Sequence, residues 1–468
     1  MAEPPDSAFD AAWARLRAEV EAQATIRDRP VMPDVTPAEV RDYLASRYTF
    51  DEPVPLDRLT DEVARLLREW TVHVTHPRYF GLFNPSVHRA GVVADALAAL
   101  VNPQLAAWSH APAANEIERL TLRRLADALG LDEGHAAFTS GGAEANLTAV
   151  LAALAHRCPE ASRAGVGALR QRPALYVTGE SHHSFVKIAR MTGLGTDALR
   201  EVPTTDRFTL DPDALDRQIQ ADVEDGWCPL AVVATAGTTG AGLVDPLSAI
   251  ADVAERHGAW LHVDAAWGGS FALVPRLRPA FAGIERADSV TWDAHKGLSV
   301  PMGAGMAFCR HPEAVRQAFA ISTSYMPAAA GDGLDDPYAT TAQWSRRAIG
   351  LKVFMTLAEH GLGGIADLVD RQAQLGDELR RQLATAGYAV VNDTPLPVVC
   401  FTHADIRSGA LSTADVVARV YERRRVWLSD VVLGGQERVL RACVTSFRSD
   451  ASDVAALVEE VDRARRSG

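Results

Sequence analysis

The chain has 468 residues, 47% of them hydrophobic and 23% charged, a balance that excludes disordered, collagen-like and disulfide-scaffold classes. Its formal net charge of -13 repels phosphate backbones and argues against a nucleic-acid partner. No stretch reaches the ~18 uninterrupted apolar residues of a membrane span, and the acidic, proline-bearing N-terminus is unlike a secretory signal or transit peptide. A soluble cytoplasmic protein of two or three packed units is expected. Residues 8–22 and 56–70 repeat apolar positions at helical spacing, so the first 75 residues read as a helical segment broken by a proline-rich connector at 30–37. Such a segment makes no closed core alone and is expected to pack on something else.

From 76 to 345, short β-branched runs alternate with helical stretches. Strands are predicted at 174–178, 230–234, 260–264, 289–293 and 305–309, with helices at 144–157, 184–191, 211–225 and 246–257. This alternation predicts an α/β unit, its mostly parallel sheet covered by helices on both faces. From 346 to 468, a long helix (347–360, then 365–384), strands near Tyr388, Val398 and Leu440, and a closing helix at 450–465 predict a small α+β unit. Cys158, Cys228, Cys309, Cys400 and Cys443 stand far apart with no CxxC pair, against a disulfide framework or a thiolate zinc site.

Only three of the 47 cationic residues are lysines: Lys187, Lys296 and Lys352. Chemistry that needs a deprotonatable amine has three candidates, because arginine does not give up its proton. Lys187 and Lys352 read as helix surface or edge positions. Lys296 instead follows a predicted strand and enters a glycine-bearing turn, and ligands of an open parallel sheet gather beyond the carboxyl ends of its strands. Asp264 closes another strand; facing a pyridine nitrogen, its charge would hold that nitrogen protonated, as an electron-sink cofactor requires. The run from Phe138 through Thr-Ser-Gly-Gly-Ala-Glu-Ala to Asn146 enters a helix, where small residues and the helix N-terminus suit an anion without a P-loop lysine. His182 and His183 open a helix after a strand, and one of them could lay a flat imidazole over a cofactor ring. No acid or histidine at ligand spacing in that segment supports a metal. Residues 233–240 end a strand with hydroxyls and glycines at the same edge.

In order, the blocks 76–86, 108–118, Thr139 to Asn146, His183-Ser184, 234–239, His262 to Ala266, Asp293 to Lys296 and Ser345-Arg346-Arg347 resemble one family. It is the pyridoxal-phosphate (PLP)-dependent group II amino-acid decarboxylases, which include the aromatic-amino-acid, glutamate and histidine decarboxylases. The resemblance spans roughly residues 40–465. It implies the aspartate-aminotransferase fold (fold type I), with a large PLP domain at 76–345 and a small domain at 346–468. The segment 1–75 would pack on the partner of a homodimer with shared active sites. Lys296 would bind PLP as a Schiff base, Asp264 would pair with the pyridine nitrogen, and His183 would stack on the ring and help orient the substrate carboxylate. Backbone groups of Gly142 and Ala143, with Asp293 and His295, would hold the phosphate side, and Thr239 would lie against the cofactor.

In the family a tyrosine on a mobile loop protonates Cα. Between Ser322 and Ser345 this chain offers Tyr325 and Tyr338, and Tyr338, just before Ser345-Arg346-Arg347, is our choice. The expected reaction releases CO2 and an amine from an aromatic or hydrophobic amino acid, with Tyr79, Phe80, Phe83 and Trp108 as an apolar entrance. Two alternatives stand beside it. One is decarboxylation coupled to oxidative deamination, giving an aldehyde, in which phenylalanine replaces the lid tyrosine. The other is a PLP-binding protein without turnover, which the joint presence of Lys296, Asp264 and His183 disfavours.

Overall fold

The apolar runs in the middle of the chain assemble into a seven-stranded mixed sheet in the computed structural model, which describes residues 6–132, 134–321 and 336–467. Its strands are β1 (His135–Thr139), β2 (Arg172–Val177), β3 (Leu199–Glu201), β4 (Trp227–Thr235), β5 (Trp260–Asp264), β6 (Ser289–Asp293) and β7 (Gly305–Cys309). They lie in the order β1-β7-β6-β5-β4-β2-β3. β7 runs antiparallel to both neighbours and the other pairings are parallel. The carboxyl ends of β1, β2, β4, β5 and β6 therefore share one edge. β5, β6 and β7 fall at their predicted bounds. β1 and β3 were not expected: β1 is alanine-rich, and β3 is three residues long and polar.

β4 shows why the sheet is covered on both faces. Val232 and Ala234 belong to one apolar core and Ala231 and Val233 to another, as the two-residue period of a strand requires. The helix Gly142–Arg157 lies across the second face with Ala149, Ala152 and Ala153 buried, small side chains that let it approach the strands closely. The predicted helices 347–360 and 365–384 form one run, Gly350–Thr385, broken where Gly361 adopts φ 69°.

A second, antiparallel sheet joins β8 (Ala389–Val390), β9 (Val398–Thr402), β10 (Ser429–Leu433) and β11 (Glu437–Cys443) in the order β10-β11-β9-β8. Val398, Cys400, Val439 and Cys443 share a core with the large sheet, which brings β11 to its carboxyl edge. The N-terminal helices Asp6–Ala22, Pro37–Arg47 and Leu56–Glu69 are different. The last two bury no residue fully, and Phe9, Trp13 and Leu67 are exposed. Among the described residues, no helix is long and apolar enough to cross a membrane.

Candidate active site

Two acids end adjacent strands. Asp264 closes β5, and its Oδ2 accepts from Asn146 Nδ2 (2.8 Å) while Oδ1 accepts from the Ala266 N–H (3.1 Å). It is 5% exposed, and among the described residues no ion pair reaches it. Asp293 closes β6, and its N–H donates to Ala266 O (2.9 Å), tying the two turns together. The single helical turn Ala294–Gly297 then returns Lys296 to Asp293, with Nζ 3.0 Å from Oδ2 and 5.6 Å from the centre of the Phe83 ring. Asp293 Oδ1 is buried without a hydrogen-bond partner among the described residues. His295 is buried beside them: its Nδ1 accepts from the Ala304 N–H (3.2 Å) and its Nε2 lies 3.8 Å from Asp293 Oδ2. Desolvation lowers its pKa, against the pull of the Asp293 charge.

The glycine loop adjoins this pair. A side chain at Gly142 would meet Asp293 Oδ2 at 2.9 Å and Ala266 Cβ at 3.2 Å, so only glycine lets the helix start so close to Asp293 and the turn after β5. The first amides of a helix have no intrahelical acceptor, which leaves those of Gly142 and Ala143 to serve an anion. Glu144 braces the turn by accepting from the Ser140 N–H (2.7 Å). His182 and His183 stand exposed after β2, and the His182 Nδ1 accepts from the Ser184 N–H (3.2 Å). Desolvation lowers the His182 pKa; the charges of Asp264 and Asp293 oppose that and Lys296 adds to it. Thr239 is exposed at the same edge.

Arg441 in β11 escaped the sequence reading, although an arginine inside an apolar strand is a legible signal. It is 2% exposed. Nε donates to Thr239 O (3.0 Å) and Gly240 O (3.1 Å), and Nη1 to Gly81 O (2.8 Å). Nη2 has no partner among the described residues, and the guanidinium lies 5.2 Å from the Phe83 ring that Lys296 also faces.

Two expectations need correcting. Lys352 is not a surface residue but buried, its Nζ donating to Met302 O (2.9 Å) and facing Asp95 (3.4 Å). Of the expected apolar entrance, only Phe83 reaches the lysine. Tyr79 packs on Trp427, Phe80 is wholly buried in the core of the small sheet, and Trp108 Nε1 bonds Glu116. All five cysteines are free thiols, Cys228 half-buried and the other four buried. Tyr338 sits half-buried in the turn Pro337–Ala339; its N–H donates to Ala106 O (3.0 Å), its ring lies 5.2 Å from Trp344, and no hydrogen bond joins it to Lys296, Asp264 or His183. Tyr325 lies outside the described residues.

A tethered amine, a buried carboxylate without a cation and an anion seat at a helix start fit one cofactor chemistry, a phosphorylated pyridine aldehyde. The fold is that of a fold type I PLP enzyme. Residues 37–404 match the pyridoxal-dependent decarboxylase conserved domain. The chain is 29% identical over 433 residues to the acidic amino acid decarboxylase GADL1 of Bos taurus, covering 88% of this chain and 82% of that protein. It is 33% identical over 394 residues to a tyrosine decarboxylase of Oryza sativa subsp. japonica, covering 81% and 73%. The crystal structure of Oryza sativa TDC with PLP and tryptamine superposes with a TM-score of 0.91 at 25% identity, covering 100% of this chain and 99% of that one. The chain belongs to the pyridoxal-dependent decarboxylase family, PLP enzymes that act as carboxy-lyases.

Proposed function

We propose that the enzyme converts an L-amino acid to its amine and CO2 in the cytoplasm, at the carboxyl edge of the large sheet. The observation that carries this reading is the group around Lys296: the amine meets Asp293 and the Phe83 ring, while Asp264 ends the next strand without a cation. Bound PLP supplies an electron sink, a protonated pyridine ring that takes up the electron pair left on Cα when CO2 departs. Lys296 would hold the aldehyde carbon covalently, Asp264 would face the ring nitrogen, and His183 would lie over the ring. The amides of Gly142 and Ala143, with Asp293 and His295 beside them, would seat the phosphate, and Thr239 would flank the cofactor.

Arg441 offers its free Nη2 to the substrate carboxylate, a buried donor that would otherwise stay unsatisfied. A lid tyrosine returns the proton to Cα; we assign Tyr338, with Tyr325 as its rival. Phe83, stacked on Trp267 at 4.5 Å, forms an apolar wall that supports an aromatic or hydrophobic substrate. An acidic substrate is the second reading, favoured by the similarity to an acidic amino acid decarboxylase. A screen of amino acids for CO2 release tests both. Release from tyrosine or tryptophan in excess of that from aspartate or cysteine sulfinate supports the first reading, and the reverse order overturns it; no release from any would remove the activity. We also propose a homodimer, in which the partner covers Phe9, Trp13 and Leu67; a monomer in analytical ultracentrifugation would exclude it.

A further inference from the structure

Five side chains behind the site form a hydrogen-bonded line. Trp260 Nε1 lies 2.7 Å from Ser289 Oγ, which lies 2.8 Å from His262 Nδ1. His262 Nε2 lies 3.0 Å from Asn146 Oδ1, and Asn146 Nδ2 lies 2.8 Å from Asp264 Oδ2. All five are buried. Chemistry sets the direction of each bond. An indole N–H only donates and a carboxylate only accepts, so Asn146 must turn its NH2 to Asp264 and its carbonyl to His262. His262 then donates through Nε2. Desolvation lowers its pKa against the pull of Asp264, so the imidazole is neutral and its Nδ1 accepts from the Ser289 hydroxyl. Every donor points toward Asp264. The second N–H of Asn146 lies 3.2 Å from Ser184 Oγ, at the start of the helix that follows His183, so one amide holds both the acid and the segment carrying the imidazole.

We infer that Asn146 and His262 are positioning residues: a one-way line of hydrogen bonds ending on Asp264 orients that carboxylate toward the cofactor's ring nitrogen. The inference rests on the assignment of Asp264 to that nitrogen. If the line served only to satisfy buried polar groups, breaking it would lower stability and leave the ring nitrogen as it was.

Protein loaded with 15N-labelled PLP reports the protonation of the ring nitrogen by chemical shift, independently of turnover. In Asn146→Ala and His262→Leu the nitrogen is expected to lose its proton at least about one pH unit lower than in the parent. Cofactor affinity should weaken about 10- to 100-fold, the scale of a charge-assisted hydrogen bond. His262→Gln, able to donate to Asn146 and accept from Ser289, should recover most of both. Ser289→Ala removes only a hydroxyl and keeps the test alive if the larger changes fail to fold; a smaller shift in the same direction is expected. Parental nitrogen titration in Ser289→Ala and in every folded variant, with affinity within about twofold, overturns the inference. Asp264→Asn separates the two ideas: a nitrogen still protonated there overturns the Asp264 assignment itself.

Discussion

The two edges of the large sheet use the same kinds of residue to opposite effect. At the amino edge a cavity of about 500 Å³ is lined by Glu118, Arg123, Asp288, Arg310 and Arg346 among others. Its charges are paired: Glu118 meets Arg346 (3.2 Å) and accepts from the Gly350 N–H (2.9 Å), and half-buried Asp288 accepts from the Leu261 N–H (2.7 Å) and meets His311 (2.8 Å), although Arg310 Nε and Arg346 Nε have no hydrogen-bond partner among the described residues. At the carboxyl edge, among the described residues, Asp264 has no cation, and Asp293 Oδ1 and Arg441 Nη2 have no partner. A buried acid without a cation, rather than empty volume, sets the carboxyl edge apart, because an uncompensated buried charge costs free energy unless a ligand completes it.

The sharpest way to break this contrast is Lys296→Arg. It should abolish the covalent cofactor link and lower activity at least ~10⁴-fold, the scale of losing a covalent catalytic group. Borohydride reduction followed by peptide mapping decides the point, since label on Lys187 or Lys352 would end the assignment. Next in size is Tyr338→Phe. Amine formation should fall ~10²–10⁴-fold while CO2 release continues, with oxygen diverting product to aldehyde, ammonia and peroxide. If Tyr325→Phe does this and Tyr338→Phe does not, the lid role passes to Tyr325.

The amino edge should answer differently. Glu118→Ala leaves Arg346 buried and unpaired, for a stability loss of about 3–5 kcal/mol in urea unfolding. The kcat of the folded fraction should stay within about tenfold of the parent, roughly 1.4 kcal/mol. A larger loss of kcat than of stability would show that the two edges are not separate.

The smallest effect concerns acid. Desolvation lowers the pKa of buried His76 and His88 to about 4, from an ordinary value of 6.5. Their stabilisation is complete above 6.5 and is lost as pH falls through 4, about 1–3 kcal/mol for each. Urea midpoints at pH 7 and pH 5 should show the drop, and His88→Phe, which can keep the stack on Phe447, should reduce it. Equal drops in both proteins would remove His88 from the account.

Local sequence was a good guide wherever one segment holds the whole signal. β5 and β6 were legible because unbroken apolar runs end on Asp264 and Asp293. The helix starts beyond β1 and β2 were legible because small or polar residues follow a strand. The entrance was misjudged because an aromatic run does not say which core it enters, and Phe80 and Phe83 went to different ones. Lys352 was misjudged for a similar reason: its spacing showed a helix, but burial came from Asp95 and Met302 on other elements.

By itself the sequence determined the alternating α/β architecture, the scarcity of lysine that singles out Lys296, and the acids that close the apolar strands. These are properties of single segments, where periodicity and composition act directly. Only the tertiary structure decided that Arg441 reaches the loop after β4, that Asn146 bridges Asp264 and Ser184, and that His262 stands behind them. Those contacts depend on strand order and register, on β5 lying beside β6 with Asp264 opposite Thr291. Register is set by how the whole core closes, which no window of local sequence contains.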